Sequence, residues 1–295
     1  MMHFDDISDD EIRIIGDSAT STCPPRKPFY RKWWFWAAVA AAIALLVTVL
    51  VLFLRPSPDC DATVTEVPIE PVPVAPTIVK TEPATVLVRD TSVNDVPLRL
   101  YTPVNAVPEL CIGIPDTNDK SLILALQAAD IRADNKEIVG AFVLKGELLA
   151  RGVAKKGFCA ILDGKVQLGV AESTPLFEEA TDQDGYFFRQ YPLVNQGKMV
   201  ENKPKNKSLR YALCELDGRI VVVSSLDKES FHDFAQALAD LGVQNAIALT
   251  GGQSYGFCRD SENGFQSWGG VKMWKGFPNV NFIMWRETGA TGVGQ

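Results

Sequence analysis

The amino-acid sequence predicts an α+β fold, in which a strand-rich mixed sheet with antiparallel hairpins and a few helices is preceded by one transmembrane helix. Three observations lead to this prediction. Short apolar runs bounded by turn residues recur from residue 85 onward, Asp-Gly pairs separate neighbouring runs, and one run of about 22 residues near the start carries no charge. The chain of 295 residues is also long enough to bury a sizeable core.

The apolar runs are typical of β-strands. Along the chain they read LILALQAADI, IVGAFVL, FCAIL, VQLGV, IVVVSS, NAIAL and VNFIMW. Asp163-Gly164 and Asp217-Gly218 each lie between two apolar runs, and Asp-Gly readily adopts the positive φ that a tight hairpin turn requires. We therefore expect an antiparallel hairpin at each of these pairs.

Two helices are predicted between the strands. The first lies near Pro175 to Glu179, because proline is favoured at an opening position and follows Ser173-Thr174. The second lies near Glu229 to Leu241 and is stopped by Gly242. Its apolar stripe has the i, i+3, i+4, i+7 spacing of an amphipathic helix and comprises Phe231, Phe234, Ala235 and Leu238.

The charge-free run is WWFWAAVAAAIALLVTVLVLFL, from Trp33 to Leu54. It predicts a transmembrane helix, because about 20 residues at about 1.5 Å each cross a ~30 Å hydrocarbon layer. Basic residues crowd the start of the run and only Arg55 follows it closely, which predicts a cytoplasmic amino end. The alternative is a cleaved signal peptide, but that would have a shorter apolar region and a short basic leader, whereas this leader is long and acidic.

These features divide the chain into four predicted parts. Residues 1–32 form a cytoplasmic tail, 33–54 the transmembrane helix, 55–84 a proline-rich linker of extended polyproline type and 85–295 the globular domain. The prediction is therefore a single-pass membrane protein whose globular domain lies outside the cytoplasm, as in a bacterial periplasm. The lipid bilayer is one predicted partner.

Composition excludes several classes of function. The chain has 29 Lys and Arg residues and 36 Asp and Glu residues, which gives a net charge of −7. No basic surface that could bind a nucleic acid is therefore expected, and nucleic acid is not a predicted partner. The two histidines, His3 and His232, are too few for a His-rich zinc or iron site. No cofactor and no metal are predicted, although carboxylate-bound calcium or magnesium stays open. His232 lies beside the apolar stripe of the second helix, which favours a surface position.

The chain has six cysteines, five of them after the predicted membrane helix. Cys159 and Cys214 lie in apolar runs without a C-x-x-C pair, so they are predicted to be small buried hydrophobic residues. A disulfide stays open as the alternative, because the predicted compartment is oxidising.

The segment NAIALTGGQSYG, residues 245–256, is the motif most suggestive of a ligand site. Here an apolar run leads directly into Gly251 and Gly252. Paired glycines at a strand exit let backbone amides approach a ligand, and such amides can hold an anionic oxygen. The alternative is a plain turn, because the segment carries neither the phosphate-loop lysine nor the dinucleotide fingerprint.

The order of segments resembles that of the phosphodiester glycosidase family. In that family a strand with an arginine opens a hairpin, a helix follows and an apolar strand ends in Asp-Gly-Gly; here the corresponding stretches are RYALCELDGRIVVVSS, the second helix and LGVQNAIALTGGQSYG. Upstream, YFFRQYPLVNQGK and ALQAADIRADNKEIVGAFVLKGE resemble two further family segments. The matching residues are Gly140, Pro192, Leu193, Val194, Gly197, Arg210, Gly251, Gly252 and Ser254.

The resemblance implies a domain that binds sugar-1-phosphate diesters, with hydrolysis as the family reaction. The predicted location outside the cytoplasm indicates that these diesters belong to envelope glycans. Two motifs depart from the family pattern: Thr250 replaces Asp before the two glycines, and Gln127-Ala128-Ala129 replaces Asn-Ala-Gly. Thr250 cannot ionise, whereas glycoside cleavage ordinarily uses two carboxylates. The catalytic residues are therefore unknown, and the candidates for a replacement carboxylate are Asp130, Asp134, Glu172 and Asp184. Two alternatives stay open, a catalytically degraded glycan-binding or scaffold domain and a structural envelope protein.

The predicted substrate-binding residues follow from the same resemblance. Arg210 is the strongest candidate, because a guanidinium grips two phosphate oxygens at once, although a strand arginine paired with a nearby acid is the alternative. Gln127 and Gln190 are candidates for hydrogen bonds to sugar hydroxyls, and Trp285 is expected in the core. The remaining predicted binding residues are Thr250, Gly251, Gly252 and Ser254.

Overall fold

The computed structural model describes residues 83–288. The predicted cytoplasmic tail, the membrane helix and residues 55–82 of the linker lie outside the described residues and stay predictions. Within residues 83–288, no helix is both long enough and apolar enough to cross a bilayer.

The described residues form seventeen strands and three helices, joined by turns and loops. The strands are β1 (Thr85–Val93), β2 (Val96–Val104), β3 (Ala106–Ile112), β4 (Leu122–Gln127), β5 (Phe142–Leu144), β6 (Glu147–Ala150), β7 (Gly157–Leu162), β8 (Lys165–Val170), β9 (Tyr186–Gln190), β10 (Pro192–Asn195), β11 (Lys198–Met199), β12 (Tyr211–Leu216), β13 (Arg219–Ser225), β14 (Asn245–Leu249), β15 (Gly256–Asp260), β16 (Gly264–Trp268) and β17 (Asn281–Glu287). The helices are α1 (Pro175–Asp182), α2 (Phe231–Asp240) and α3 (Val271–Trp274).

The strands form two sheets. The large sheet has twelve strands in the order β11-β10-β14-β12-β13-β2-β1-β15-β4-β17-β3, with β16 also paired to β15. The small sheet has five strands in the order β6-β5-β9-β7-β8. Strands β1 and β15 pair in parallel. The hairpins β1–β2, β7–β8 and β12–β13 are antiparallel. This confirms the predicted strand-rich mixed sheet with hairpins and few helices.

Both Asp-Gly pairs form the predicted hairpin turns. Leu162 pairs with Lys165 across the first turn, and Leu216 pairs with Arg219 across the second. Both central residues of each turn have positive φ, 48° and 71° at residues 163 and 164, and 51° and 69° at residues 217 and 218. Positive φ at both positions matches the right-handed twist of the flanking strands, which is why these turns join neighbouring strands directly.

The first two helices also agree with the sequence prediction. Thr174 caps α1 by accepting a hydrogen bond from the Leu176 amide, and Ser230 caps α2 by accepting one from the Asp233 amide. The apolar stripe of α2 is buried, and Gly242 follows it with φ of +98°. Helix α1 extends three residues beyond its predicted end, from Glu179 to Asp182. Helix α3, with only four residues, had no detectable period in the sequence.

The two sheets enclose an inner core, and helices cover their outer faces. Alternate residues of a strand point to opposite faces, so Leu213 lies in the inner core while Cys214 packs with the buried residues of α2. In the small sheet Cys159 lies in the inner core while Ala160 packs with Ala180 of α1. Trp285 lies in the inner core, as predicted.

The cysteines of the described region carry free thiols. They are Cys111, Cys159, Cys214 and Cys258. Cys159 and Cys214 are completely buried, and burial raises the pKa of both thiols. The prediction that these two residues act as small hydrophobic side chains is therefore confirmed.

Candidate active site

Three strands end at one edge of the inner core and bring polar residues together. Asp130 follows β4, Gln190 ends β9 and Thr250 follows β14. The Thr250 amide donates a hydrogen bond of 3.2 Å to the carbonyl of Gln127, which ties the end of β14 to the end of β4. Gln190 shares a strand face with Phe188 of the inner core, so its side chain reaches from the small sheet toward the large one.

Asp130 is the centre of this polar cluster. Its Oδ1 accepts hydrogen bonds from Gln190 Nε2 at 2.9 Å and from the Thr250 hydroxyl at 3.2 Å. Its Oδ2 accepts a hydrogen bond from Lys155 Nζ. The Asp130 side chain is 38% exposed, whereas the Lys155 side chain is only 5% exposed. The carboxylate therefore faces solvent, with a buried cation behind it.

Lys155 is fully engaged in holding this cluster. Besides Asp130 Oδ2, its Nζ donates to Gln190 Oε1 at 2.8 Å and lies 4.4 Å from the centroid of the Tyr191 ring. Gln190 Oε1 also accepts a hydrogen bond of 3.0 Å from the Tyr191 amide. Because two donors meet that atom, the orientation of the Gln190 amide is determined, and its Nε2 must face Asp130.

The surroundings keep Asp130 in its charged form. Burial acts to raise the pKa of Asp130, but attraction to Lys155 and the hydrogen bonds from Lys155, Gln190 and Thr250 outweigh it, so the pKa lies below its ordinary value. A carboxylate in such a site is ionised at neutral pH. It suits a role as a nucleophile or as a stabiliser of positive charge better than a role as a proton donor.

The backbone around the cluster is fixed by buried polar side chains. Asn281, at the start of β17, accepts a hydrogen bond of 2.7 Å from the Ala129 amide and donates one of 3.2 Å to the Ala129 carbonyl. The guanidinium of Arg189 donates to the carbonyls of Lys155 at 3.3 Å and Ala171 at 2.7 Å. These contacts position the segments that carry Asp130 and Lys155.

The glycine turn after β14 packs tightly against the segment that leads into β12. A Cβ atom on Gly251 would lie 2.6 Å from the carbonyl oxygen of Leu209, so only glycine fits there without movement of the backbone. The Gly252 amide donates to that same carbonyl at 2.9 Å, and Gly252 has φ of +67°. The Gly251 amide makes no hydrogen bond within residues 83–288. It is therefore the amide of this pair that is available to an anion.

Arg210 lies next to the glycine turn but its guanidinium has protein partners. The Arg210 Cα would lie 4.0 Å from a Cβ on Gly251. Its Nε donates to the Glu229 carbonyl at 2.8 Å, its Nη2 donates to the Asn206 carbonyl, and the guanidinium lies 4.0 Å from the centroid of the Phe231 ring. These contacts favour a structural role, in which Arg210 ties two loops to α2.

A sequence model of the family described as phosphodiester glycosidase (NAGPA) matches residues 120–272, just over half of the 295 residues. The chain belongs to the phosphodiester glycosidase family. The matched region contains Asp130, Lys155, Gln190 and Thr250. The resemblance seen in the sequence is thereby confirmed.

Two solved structures are similar to this member of the family. One is the catalytic domain of zebrafish N-acetylglucosamine-1-phosphodiester alpha-N-acetylglucosaminidase auto-inhibited by its pro-peptide, with a TM-score of 0.48 and 12% identity over 69% of this chain and 82% of that chain. The other is a hypothetical protein from Synechocystis, with a TM-score of 0.47 and 14% identity over 70% of this chain and 64% of that chain. A comparison with curated proteins gave no match.

The other predicted binding residues of this chain differ in how they lie relative to the Asp130 cluster. Ser254 is buried, and its amide donates to the Gly251 carbonyl at 3.3 Å. Gln127 pairs with Phe282, which packs on the outer face of the large sheet, so the Gln127 side chain points to that face as well. Its amide atoms are buried without a hydrogen-bond partner among the described residues. Only the Gln127 carbonyl joins the cluster.

The remaining candidate carboxylates lie on the surface. Asp134 pairs with Arg132 at 3.1 Å, Glu172 pairs with Lys156 at 2.6 Å, and Asp184 lies in an exposed turn. His232 is also exposed, as predicted, with its Nδ1 2.7 Å from Glu201. In the part of the chain that the structure describes, no group of three acidic, histidine or cysteine side chains is arranged to hold a metal ion.

A cavity of about 250 Å³ lies on the other side of the small sheet. Arg151, Thr174, Phe177 and Arg189 are among the residues that line it, and Asp130 is not. We place the candidate active site at Asp130 because the convergent polar groups and the shifted pKa are there. Sequence reasoning did not find Lys155, since a lysine before a buried strand ordinarily lies on the surface.

Proposed function

We propose that this member of the phosphodiester glycosidase family hydrolyses sugar-1-phosphate diesters, with Asp130 as the carboxylate that faces the anomeric carbon. The observation that supports the proposal is the Asp130 cluster, in which a partly exposed carboxylate is held ionised by Lys155, Gln190 and Thr250. Negative charge at this point stabilises the positive charge that develops on the anomeric carbon as the glycosidic bond breaks.

One carboxylate is chemically sufficient for this substrate class. Most glycosidases need a second carboxylic acid, because an alcohol leaves only when it receives a proton. A phosphate monoester is stable as an anion, with a second pKa near about 6, so it leaves without a proton from the protein. The absence of an ionisable side chain at Thr250 is therefore compatible with activity toward a phosphodiester.

The proposed reaction balances without a further reactant. The electron pair of the bond between the anomeric carbon and oxygen passes to the departing phosphate oxygen, which gains one negative charge. Water forms the new bond to the anomeric carbon and releases its proton to solvent. We assign the Gly251 amide to the phosphate, because it has no protein acceptor among the described residues and amides at such turns hold anionic oxygens. Gln190, whose amide atoms are all engaged, positions Asp130.

The test uses the 1-(methyl phosphate) diesters of glucose, galactose and N-acetylglucosamine, with phosphorus NMR to follow release of methyl phosphate. We expect the full-length protein to hydrolyse at least one of them and Asp130→Asn to lower the rate by about 10²-fold or more. Asp134→Asn, a change to an exposed carboxylate, is the matched control and should keep the wild-type rate. Full activity in Asp130→Asn would contradict the assignment of Asp130.

A second candidate function is glycan binding without catalysis. Thr250 at the position where the family has Asp is the observation that favours it. In that case the wild-type protein would bind the sugar phosphodiester without releasing methyl phosphate, which the same NMR experiment distinguishes from hydrolysis.

We also propose that the domain acts on envelope glycans outside the cytoplasm, anchored by the apolar run from Trp33 to Leu54. The basic residues before that run and the lone Arg55 close behind it support this orientation. Protease added to cells with a permeabilised outer membrane should remove the domain after Thr85 while protecting the first ~30 residues. Protection of the whole domain would contradict the orientation, and a mature amino terminus beyond residue 54 would indicate a cleaved signal.

A further inference from the structure

Trp268 is a large aromatic side chain at the end of β16 that lies flat against the large sheet. It pairs with Gly256 of β15, and a Cβ atom on Gly256 would lie 2.6 Å from the indole ring. The ring centroid lies 5.3 Å from that of Tyr101 and 6.3 Å from that of Tyr211, with the Trp268 and Tyr211 rings within 11° of parallel. Glycine at 256 thus makes room for a continuous aromatic surface.

This aromatic surface lies on the inner face of the large sheet. Leu126 of β4 also pairs with Gly256, and Leu126 belongs to the inner core against which Trp268 packs. Tyr101 and Tyr211 belong to the same core. The opposite face carries Tyr255 and Phe257, which pack on the side of α3.

The aromatic surface and the Asp130 cluster lie at the same end of the sheet. Tyr211 pairs with Leu249, the residue before Thr250, and Thr250 donates a hydrogen bond to Asp130. Asp130 itself lies four residues beyond Leu126 along β4, past the end of that strand. Trp268 is therefore linked to Asp130 through the Tyr211 ring, the strand pair of Tyr211 with Leu249, and the hydrogen bond from the next residue, Thr250.

Trp268 differs from its aromatic neighbours in exposure. Tyr101 and Tyr211 are 5% and 7% exposed, whereas Trp268 is only half-buried. Its Nε1 is buried without a hydrogen-bond partner among the described residues, a state that is unfavourable for an indole N–H. Trp274 has the same unpartnered Nε1 but packs on the outer face, so the orphaned nitrogen alone does not distinguish the two. Trp268 differs from Trp274 because it packs against the inner core, at the end of the large sheet where the Asp130 cluster lies.

We propose that Trp268 is the platform on which the sugar ring of the phosphodiester stacks, with the anomeric carbon directed toward Asp130. A pyranose presents an apolar face of C–H groups, and an indole presents an apolar face with a polar edge, so the two surfaces are complementary. The proposal deepens the proposed function and rests on it for the identity of the ligand.

The test measures equilibrium binding in the full-length Asp130→Asn protein, where hydrolysis does not consume the probe. The probes are the 1-(methyl phosphate) diester of the sugar hydrolysed fastest, or of N-acetylglucosamine if none is hydrolysed, and dimethyl phosphate, which has no sugar. Trp268→Ala should weaken binding of the sugar diester about tenfold, with a smaller effect for Trp268→Phe, and should leave binding of dimethyl phosphate unchanged. Trp274→Phe is the matched control and should bind as its parent does.

Tryptophan emission provides a second measurement that does not depend on the alanine variant folding. Binding of the sugar diester should change the emission of the Asp130→Asn protein, and Trp268→Phe should abolish that change while Trp274→Phe keeps it. Unchanged sugar affinity in folded Trp268→Ala, or an emission change that persists in Trp268→Phe, would overturn the platform. A different outcome is also informative: the wild type shows no hydrolysis, but Trp268→Ala weakens binding of the sugar diester. That outcome would support the platform and contradict only the proposed catalysis.

Discussion

The Thr250 hydroxyl donates a hydrogen bond of 3.2 Å to Asp130 Oδ1. Thr250 stands where the family pattern has an aspartate, and its hydroxyl donates a hydrogen bond to Asp130. Asp130 lies beyond the end of β4, whereas Thr250 follows β14. A carboxylate is present beside position 250 even though residue 250 itself cannot ionise. We propose that Asp130 replaces the carboxylate lost there, so that the negative charge has moved to a new position; the alternative is that the charge has been lost.

Thr250→Asp separates these two explanations. If the charge were lost, restoring Asp should raise the hydrolysis rate by about 10²-fold or more. We expect the opposite, a rate decrease, because the new carboxylate would lie beside Asp130 and one of two neighbouring carboxylates takes up a proton. The measurement is kcat/KM from pH 4 to 9, and the pH profile of the variant should show a raised apparent pKa. Thr250→Ser, which keeps the hydroxyl, is the control and should stay close to wild type.

Lys155→Met tests whether the buried cation keeps Asp130 charged. The pKa of Asp130 lies below its ordinary value in the folded protein, so its contribution to stability is present above about pH 4 and is lost as the pH falls through the folded pKa. Without Lys155 the pKa should rise, and the acidic limb of the kcat/KM profile should move to higher pH. The free energy of unfolding at pH 7 should fall by about 1–3 kcal/mol, less than for a fully buried pair because Asp130 is 38% exposed.

Urea unfolding at pH 7, 4 and 3 measures the second effect. The difference between wild type and Lys155→Met should be largest at pH 7 and should shrink as the pH falls toward 3, because the pH then approaches the lowered pKa of Asp130 in the folded wild type. Lys165→Met, a change to an exposed lysine in β8, is the control. A difference in stability that does not depend on pH would show that Lys155 acts by packing alone.

Arg210→Ala tests the role of the arginine that resembles the family residue. Its guanidinium donates to the carbonyls of Glu229 and Asn206 and packs on Phe231, so we expect the variant to lose about 2–3 kcal/mol of unfolding free energy. Arg219→Ala, at an exposed position in β13, should change stability by less than about 0.5 kcal/mol. Weaker binding of the sugar phosphodiester with unchanged stability would support the phosphate-binding role instead.

Local rules of the sequence account for much of the fold but for little of the site. The Asp-Gly turns, the start of α1 after Ser173-Thr174 and the apolar stripe of α2 each depend on neighbouring residues, so they were predictable. Asp130 was one of four candidate carboxylates, because a sequence does not contain the distance from one strand end to another. The directions of the Arg210 and Gln127 side chains depend on strand register and loop contacts, which arise only when the sheet forms.

The dependence of the rate on the leaving group tests the single-carboxylate mechanism. If no side chain protonates the departing oxygen, the protein should hydrolyse the methyl phosphate diester of a sugar but cleave the methyl glycoside of the same sugar at least about 10³-fold more slowly, since general acid catalysis contributes about 10²–10⁴-fold. The p-nitrophenyl glycoside, whose leaving group departs readily as an anion, should be hydrolysed at a rate between those of the diester and the methyl glycoside.

Initial rates for the three substrates at pH 7 provide the comparison. Asp130→Asn should lower the rates of the diester and the p-nitrophenyl glycoside alike, because both depend on stabilising the same positive charge. Comparable rates for the methyl glycoside and the diester would mean that a general acid serves the site, and the mechanism built on Asp130 alone would be wrong.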